Sequence, residues 1–236
     1  MEGHGFSRAD GGKIDLGFSP WGQIFVKPAF DRRKGEGKGV GFSIEQYAAL
    51  RPTLWHLTHV DNLGRIRKSR VLMPAEHFVS ETLNCPRRGM LRTSSGVVLR
   101  DQDLLHESCI DFQNGYSMCD LLADSNRRVF FWAGRPDRPV KAGLGAIKRY
   151  GSSNAIIRLS FLAVVEKQTP HFSRYNFGAP RMHHGKRVPR GPKTFVQATE
   201  CDFPPSKVVE VTFAQPVTLR ADAEVARSLD GPWEIL

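Results

Sequence analysis

The chain has 236 residues, 40% of them hydrophobic, with a formal net charge of +10 and a pI near 9.8. That length and apolar content allow one substantial domain with a tail, which excludes a small disulfide-built scaffold. No apolar run reaches the ~20 residues of a membrane span, and the basic balance points to a polyanionic or phosphate-bearing partner.

Residues 1–42 contain ten glycines and the run Asp31 to Gly41, rich in Arg, Lys and Gly. Such a stretch buries too little apolar surface to offset its ordering entropy, so it reads as a flexible Gly-rich basic arm, with Gln23 to Val26 extended. Its glycines match neither Gly-x-Gly-x-x-Gly nor a phosphate loop. Met1 to Asp10 has no signal-peptide core, and a cytoplasmic protein is the expectation.

The single domain is expected from residue 43 to 236. Ser43 and Gln46 form a capping box for a helix through Leu50. Leu54 to Thr58 reads as a strand, followed by a helix from Asp61, its cap, to Arg70. Further helices are expected from Ala75 to Leu83, from Ser117 to Ser125, and over Ala142 to Tyr150. Gly96 to Arg100 reads as extended. Arg128 to Trp132 and Ala155 to Leu162 carry the β-branched and aromatic content of strands. Late strands are expected at Thr194 to Ala198, Lys207 to Phe213 and Pro216 to Leu219, before a closing helix over Ala221 to Leu229. Helices and strands without a regular βαβ cadence indicate an α+β fold.

Cys85, Cys109, Cys119 and Cys201 are widely spread, which favours reduced, mostly buried thiols, and no pair has metal-ligand spacing, so no metal is expected. Between Lys167 and Phe195 lie seven Lys or Arg and no Asp or Glu. Those cations alternate with Phe172, Tyr175, Phe177 and Phe195. Prolines and glycines make the stretch loop-like, and loops carry recognition. Cations attract phosphates and aromatic faces stack bases, which makes it a candidate nucleic-acid (DNA or RNA) surface, with a solvated excursion as the plain alternative.

His56, Thr58, His59 and Asn62 gather at one strand-to-helix junction. A packing corner rarely needs so many hydrogen-bonding groups, although a satisfied histidine beside an Asx cap reads almost as well. Glu210, between Val209 and Val211, is either a solvated edge carboxylate or a functional one, with Glu200 and Asp202 as nearby alternatives.

The pattern His56-x-Thr58-His59-x-x-Asn62-Leu63-x-x-Ile66 resembles the NAD-binding motif of the DNA thymidine ADP-ribosyltransferase toxins. The span from Leu54 to Trp233 is similar to an uncharacterised bacterial family with the same opening motif. Features shared with it are Val129 to Trp132, Tyr175 to Pro180, Arg190-Gly191 and Gly231 to Trp233.

The toxin resemblance implies an ADP-ribosyltransferase-like split mixed sheet with a central NAD cleft and peripheral helices. It implies NAD as co-substrate held by His56, Thr58 and Asn62, with Trp132 or Phe131 against nicotinamide; for these aromatics a plain core strand reads equally well. It implies Glu210 as the catalytic carboxylate, and Arg100, or else Arg92, at the phosphates and reacting ribose. From the basic segment, acceptor contacts would come from Tyr175, Asn176, Arg181, Lys186, Arg187, Arg190 and Lys193, with Tyr175 and Asn176 open to belonging to the NAD site instead. The acceptor would be a nucleic acid, in a toxin or defence setting with an antitoxin protein as a further partner. Two other readings stand beside it: a metal-independent ribonuclease working through His56 or His59, and a non-catalytic nucleic-acid-binding module.

Overall fold

The structure is a computed structural model and describes residues 16–18, 24–26, 41–79, 89–100, 105–177, 182 and 185–236. The chain divides into two compact units, residues 1–37 and residues 38–236. The first unit holds a strand pair, Leu16–Phe18 with Ile24–Val26, so the extended stretch expected near Val26 is present.

The second unit is α+β. Its centre is one seven-stranded sheet built from β1 (Thr53–His59), β2 (Val129–Gly134), β3 (Asn154–Ser160), β4 (His171–Ser173), β5 (Glu210–Phe213), β6 (Glu224–Ala226) and β7 (Glu234–Ile235). Their spatial order is β4-β5-β2-β1-β3-β6-β7, and all pairs are antiparallel. The large sheet is therefore not mixed, contrary to expectation. The parallel pairing that occurs lies outside it, between Ile110–Phe112 and Val188–Arg190.

Among the described residues five α-helices pack around it: α1 (Ile44–Leu50), α2 (Leu63–Ser69), α3 (Met118–Asn126), α4 (Lys141–Tyr150) and α5 (Phe161–Val165). The Ser43 hydroxyl accepts from the Gln46 amide while the Gln46 side chain accepts from that of Ser43, so α1 starts at its capping box. Ser117 and Asp120 do the same for α3. The helix after β1 begins differently. Asp61 does not cap it; the His59 ring accepts from the Asp61 amide and a 3-10 turn, Val60–Asn62, precedes α2.

Strand β1 is central, so Leu54 and Trp55 are both fully buried on opposite faces. One face packs Leu54, Phe131, Ile157, Val211 and Phe213 into the main core, joined by the edge-to-face rings of Tyr47, Phe161 and Phe172. The other packs Trp55, Leu57 and Ile156 under Ile147 and Tyr150 of α4, with Trp132 and Trp233 beside them. Phe42, assigned to the arm by composition, is buried in the main core, and its amide donates to the Ala198 carbonyl.

Several elements differ from the sequence reading. Ala221 to Leu229 is not a helix: its centre is β6, which pairs with β3 and joins Arg158 to Glu224 across the strands at 2.6 Å. Helix-favouring side chains lose here to a sheet edge that buries Val225 and Ala226. The strand expected over Thr194 to Ala198 reduces to a bridge between Phe172 and Val196, followed by a 3-10 turn at Ala198–Glu200. Lys207 to Phe213 becomes a 3-10 turn, Pro205–Lys207, before β5. The helix expected from Ala75 is a 3-10 turn to Phe78, and residues 80–88, which include Cys85, lie outside the described residues. Among thiols expected to be mostly buried, Cys201 is buried, Cys109 half-buried and Cys119 exposed. Among the described residues no helix is long and apolar enough to cross a membrane.

Candidate functional site

The large sheet opens in the middle. β1 and β2 pair over Thr53↔Gly134, Leu54↔Ala133 and Trp55↔Trp132. Beyond Trp55, β1 continues along β3 to His59, whereas β2 continues along β5 to Val129. Backbone groups exposed by such a divergence need partners. His56 supplies one: its Nδ1 lies 2.8 Å from the Phe130 carbonyl oxygen. A carbonyl only accepts, so Nδ1 carries the hydrogen and Nε2 keeps its lone pair. Burial pushes the His56 pKa down to about 4; the Phe130 bond opposes this and the nearby Arg100 charge reinforces it. His56 is therefore a neutral hydrogen-bond acceptor at physiological pH.

A cavity of about 650 Å³ occupies the fork. His56 and Thr58 of β1 form one wall, and Phe130 and Trp132 of β2 another. Strand alternation separates the aromatics: Phe130 and Trp132 share a face, while Phe131 is buried in the core against Phe213. Phe131 still reaches the cavity lining, its ring 5.5 Å from that of His56, beside Trp132, whose indole Nε1 is buried with no hydrogen-bond partner among the described residues.

Asn62 lines the same cavity, but its amide is already committed. Nδ2 donates to the Val98 carbonyl (2.9 Å) and to the Thr58 hydroxyl (3.1 Å), and Oδ1 accepts from the Val98 amide (2.8 Å). It acts as a one-residue strand mimic, pinning Val98 to the β1 terminus. Thr58, having accepted, still has its own hydroxyl hydrogen to donate.

Arg100 reaches the cavity two residues beyond Val98, its guanidinium 4.1 Å from the Tyr150 ring centroid. Arg92, the alternative, is exposed and pairs with Asp61 at 2.6 Å outside the cavity. Of the two, Arg100 lines the cavity and Arg92 does not.

Glu210 is the first residue of β5, and only 3% of its surface is exposed. Both carboxyl oxygens accept from the Phe177 amide at 3.0 Å. Burial pushes its pKa up to about 8, against the pull of the Phe177 N–H and the Arg190 charge. Glu200 and Asp202 are exposed and do not line the cavity.

The floor was missed by sequence reasoning. Lys141, Ala142, Gly145, Ala146, Arg149 and Tyr150 line it from one face of α4. Their helical spacing shows a shared face, but only the fold shows that it fronts a cavity. A Cβ at Gly145 would meet nothing within 4 Å. Gly145→Leu should therefore intrude on the cavity and weaken ligand binding, while better helix propensity raises stability by about 0.5–1 kcal/mol. Thermal melts with and without ligand would check both halves.

The basic segment is less loop-like than expected. His171–Ser173 is strand β4, and Val188–Arg190 pairs with Ile110–Phe112. Phe172, Phe177 and Phe195 are buried, so they offer no face to an external base. Arg190 is 1% exposed and is likewise no acceptor contact. Lys186, Arg187 and Lys193 are exposed, Tyr175 is partly covered by the guanidinium groups of Arg174 and Arg190, and Asn176 lines the cavity. Arg181 lies outside the described residues.

Residues 52–223 match the family of unknown function DUF7002, and the chain belongs to that family. None of the curated proteins matches it.

Proposed function

We propose that this protein is an NAD-dependent ADP-ribosyltransferase whose acceptor is a nucleic acid. The observation that carries this reading is the fork of the sheet. His56, Thr58, Trp132, Arg100 and Glu210, scattered over more than 150 positions, line one cavity there. Its ~650 Å³ lies within the range of small-molecule sites. The toxin resemblance implies a split mixed sheet with a central cleft and a carboxylate opening a late strand; the sheet here is antiparallel, and the cleft with Glu210 at the start of β5 is what supports the reading.

The chemistry fits these groups. His56 Nε2 accepts from a ribose hydroxyl and Thr58 donates to one. Arg65, Arg100, Arg128, Lys141 and Arg149 line the cavity, against Glu210 as the carboxylate among the described residues that do so. That excess suits a pyrophosphate. The acceptor nucleophile attacks C1′ of the nicotinamide ribose, the C–N glycosidic bond breaks, and nicotinamide leaves with the bonding pair. Positive charge develops on the ribose, as in glycoside hydrolysis. Glu210 stabilises it and takes the nucleophile's proton. Only the ionised carboxylate can do this, so with a pKa pushed up to about 8 turnover should rise with pH through that value.

Acceptor recognition is assigned to the exposed Lys186, Arg187 and Lys193, helped by the overall charge of +10. The ribonuclease reading fits less well. It needs a histidine that gains and loses a proton near neutral pH, and His56 is held far below that range. His59 is engaged as the cap of the turn before α2.

The test is incubation of purified protein with labelled NAD and single-stranded DNA, RNA or cell extract, beside Glu210→Gln. Label should pass to a macromolecule with wild type only. No transfer, no nicotinamide release and no NAD-dependent rise in melting temperature would overturn the reading.

A further inference from the structure

Arg190 is among the largest fully buried side chains of the protein, and a lone buried guanidinium is costly. No carboxylate of the described residues lies within ion-pair distance of it. Its Nη1 donates to the Pro189 carbonyl at 3.0 Å and its Nη2 to the Asn176 carbonyl at 3.4 Å, while Nε has no partner among the described residues. The guanidinium carbon sits 4.4 Å from the Tyr175 ring centroid, a cation–π contact. The backbone around it is fixed: Val188–Arg190 pairs with Ile110–Phe112, the Gln113 amide donates to the Arg190 carbonyl, and Gly191 and Thr194 close the following turn.

The same three residues are therefore gripped from two sides. Arg190 holds Tyr175 by its ring and Asn176 by its carbonyl. Glu210 holds Phe177 by its amide. Asn176 and Phe177 line the cavity between these grips. We propose that Arg190 is a positioning residue of the site, holding Tyr175–Phe177 so that the Phe177 amide meets Glu210 and Asn176 faces the bound substrate. Its role in turnover rests on the transferase reading; its effect on Glu210 does not.

The positive charge has a second consequence. Charged and titratable groups around Glu210 are Arg190 from its strand, Tyr175 beside it, and His56, Arg100 and Arg128 across the cavity. Its strand neighbours on β4 and β2, Ser173 and Trp132, carry no charge. His56 is neutral, and Arg190 is a cation whose charge favours the Glu210 carboxylate. Removing it withdraws that influence.

The experiment is a set of melts from pH 5 to 9.5 on wild type, Glu210→Gln, Arg190→Met and the double variant, with NAD turnover followed over the same range. The stability gap between glutamine and glutamate at position 210 reports the ionisation of Glu210 whatever the protein's activity. In the Arg190→Met background, the pH at which this gap opens fully should rise by about 1 unit, and the pH midpoint of turnover should follow. Equal gaps in both backgrounds would overturn the proposal.

Arg190→Lys keeps the charge without the planar fork and serves if the methionine variant does not fold. It should leave the pH midpoint near that of wild type while the Phe177 amide exchanges its hydrogen faster; unchanged exchange would overturn the positioning role. Wild type that turns over no NAD at any pH would defeat the transferase reading alone, with the melts still deciding the role of Arg190.

Discussion

Glu210→Gln is expected to lower label transfer by roughly 10²–10⁴-fold and, in the same protein, to raise stability at alkaline pH. The two effects share one cause. A carboxyl that is 3% exposed resists ionisation, and its folded pKa stands at about 8 against an ordinary value of 4.5. Between those values the unfolded chain has released a proton that the folded chain keeps. Stability therefore falls as pH rises from about 4.5 to about 8, and the deficit is complete above 8. Glutamine does not titrate, and its carbonyl can still accept from the Phe177 amide. The variant should match wild type near pH 4 and exceed it at pH 9 by on the order of a few kcal/mol. Urea denaturation at pH 5, 7 and 9 measures the gap. A gap that does not change with pH would mean that Glu210 is ionised throughout, and its role as a poised base would fail with it.

What was legible beforehand followed local chemistry. Ser43 with Gln46 and Ser117 with Asp120 announce their helices because capping depends on residues three apart. The aromatic run Val129 to Trp132 announces a strand for similarly local reasons. The closing segment misleads because Ala221 to Leu229 carries helix formers, and only the partner strand Asn154–Ser160 reveals what Val225 must cover. The basic segment misleads for the converse reason. Composition counts Arg190 as one more cation, yet its burial depends on the pairing of Val188–Arg190 with a strand some 80 positions earlier. His56, Thr58 and Glu210 could be named from motif and strand context. The fork that joins them could not, because it depends on where β1 and β2 part. Neither could the α4 floor, whose cavity face looks in sequence like any weak amphipathic helix.

Asn62→Ala should destabilise the protein by about 2–4 kcal/mol, whereas Glu210→Gln should cause no loss at neutral pH. Read from the motif, Asn62 is a ligand contact, and truncating it would remove affinity and little else. The structure commits its carboxamide instead: two bonds to the Val98 backbone and one to Thr58. Alanine would leave the Val98 N–H and C=O without partners in a buried position, since Val98 is 5% exposed. For a chain of this size the melting temperature should drop by roughly 6–12 °C. Binding should weaken as well, because Val98 anchors the stretch that brings Arg100 over Tyr150. Asn62→Asp separates the contributions: its carboxylate can still accept from the Val98 amide but cannot donate to the Val98 carbonyl or to Thr58, so it should lose a substantial part of the same stability. Melts of both variants, with and without NAD, distinguish the roles. An alanine variant as stable as wild type that no longer responds to NAD would make Asn62 a direct contact and dissolve the clamp; a destabilised variant that recovers part of its melting temperature with NAD would show that the residue serves the ligand by holding Val98 in place.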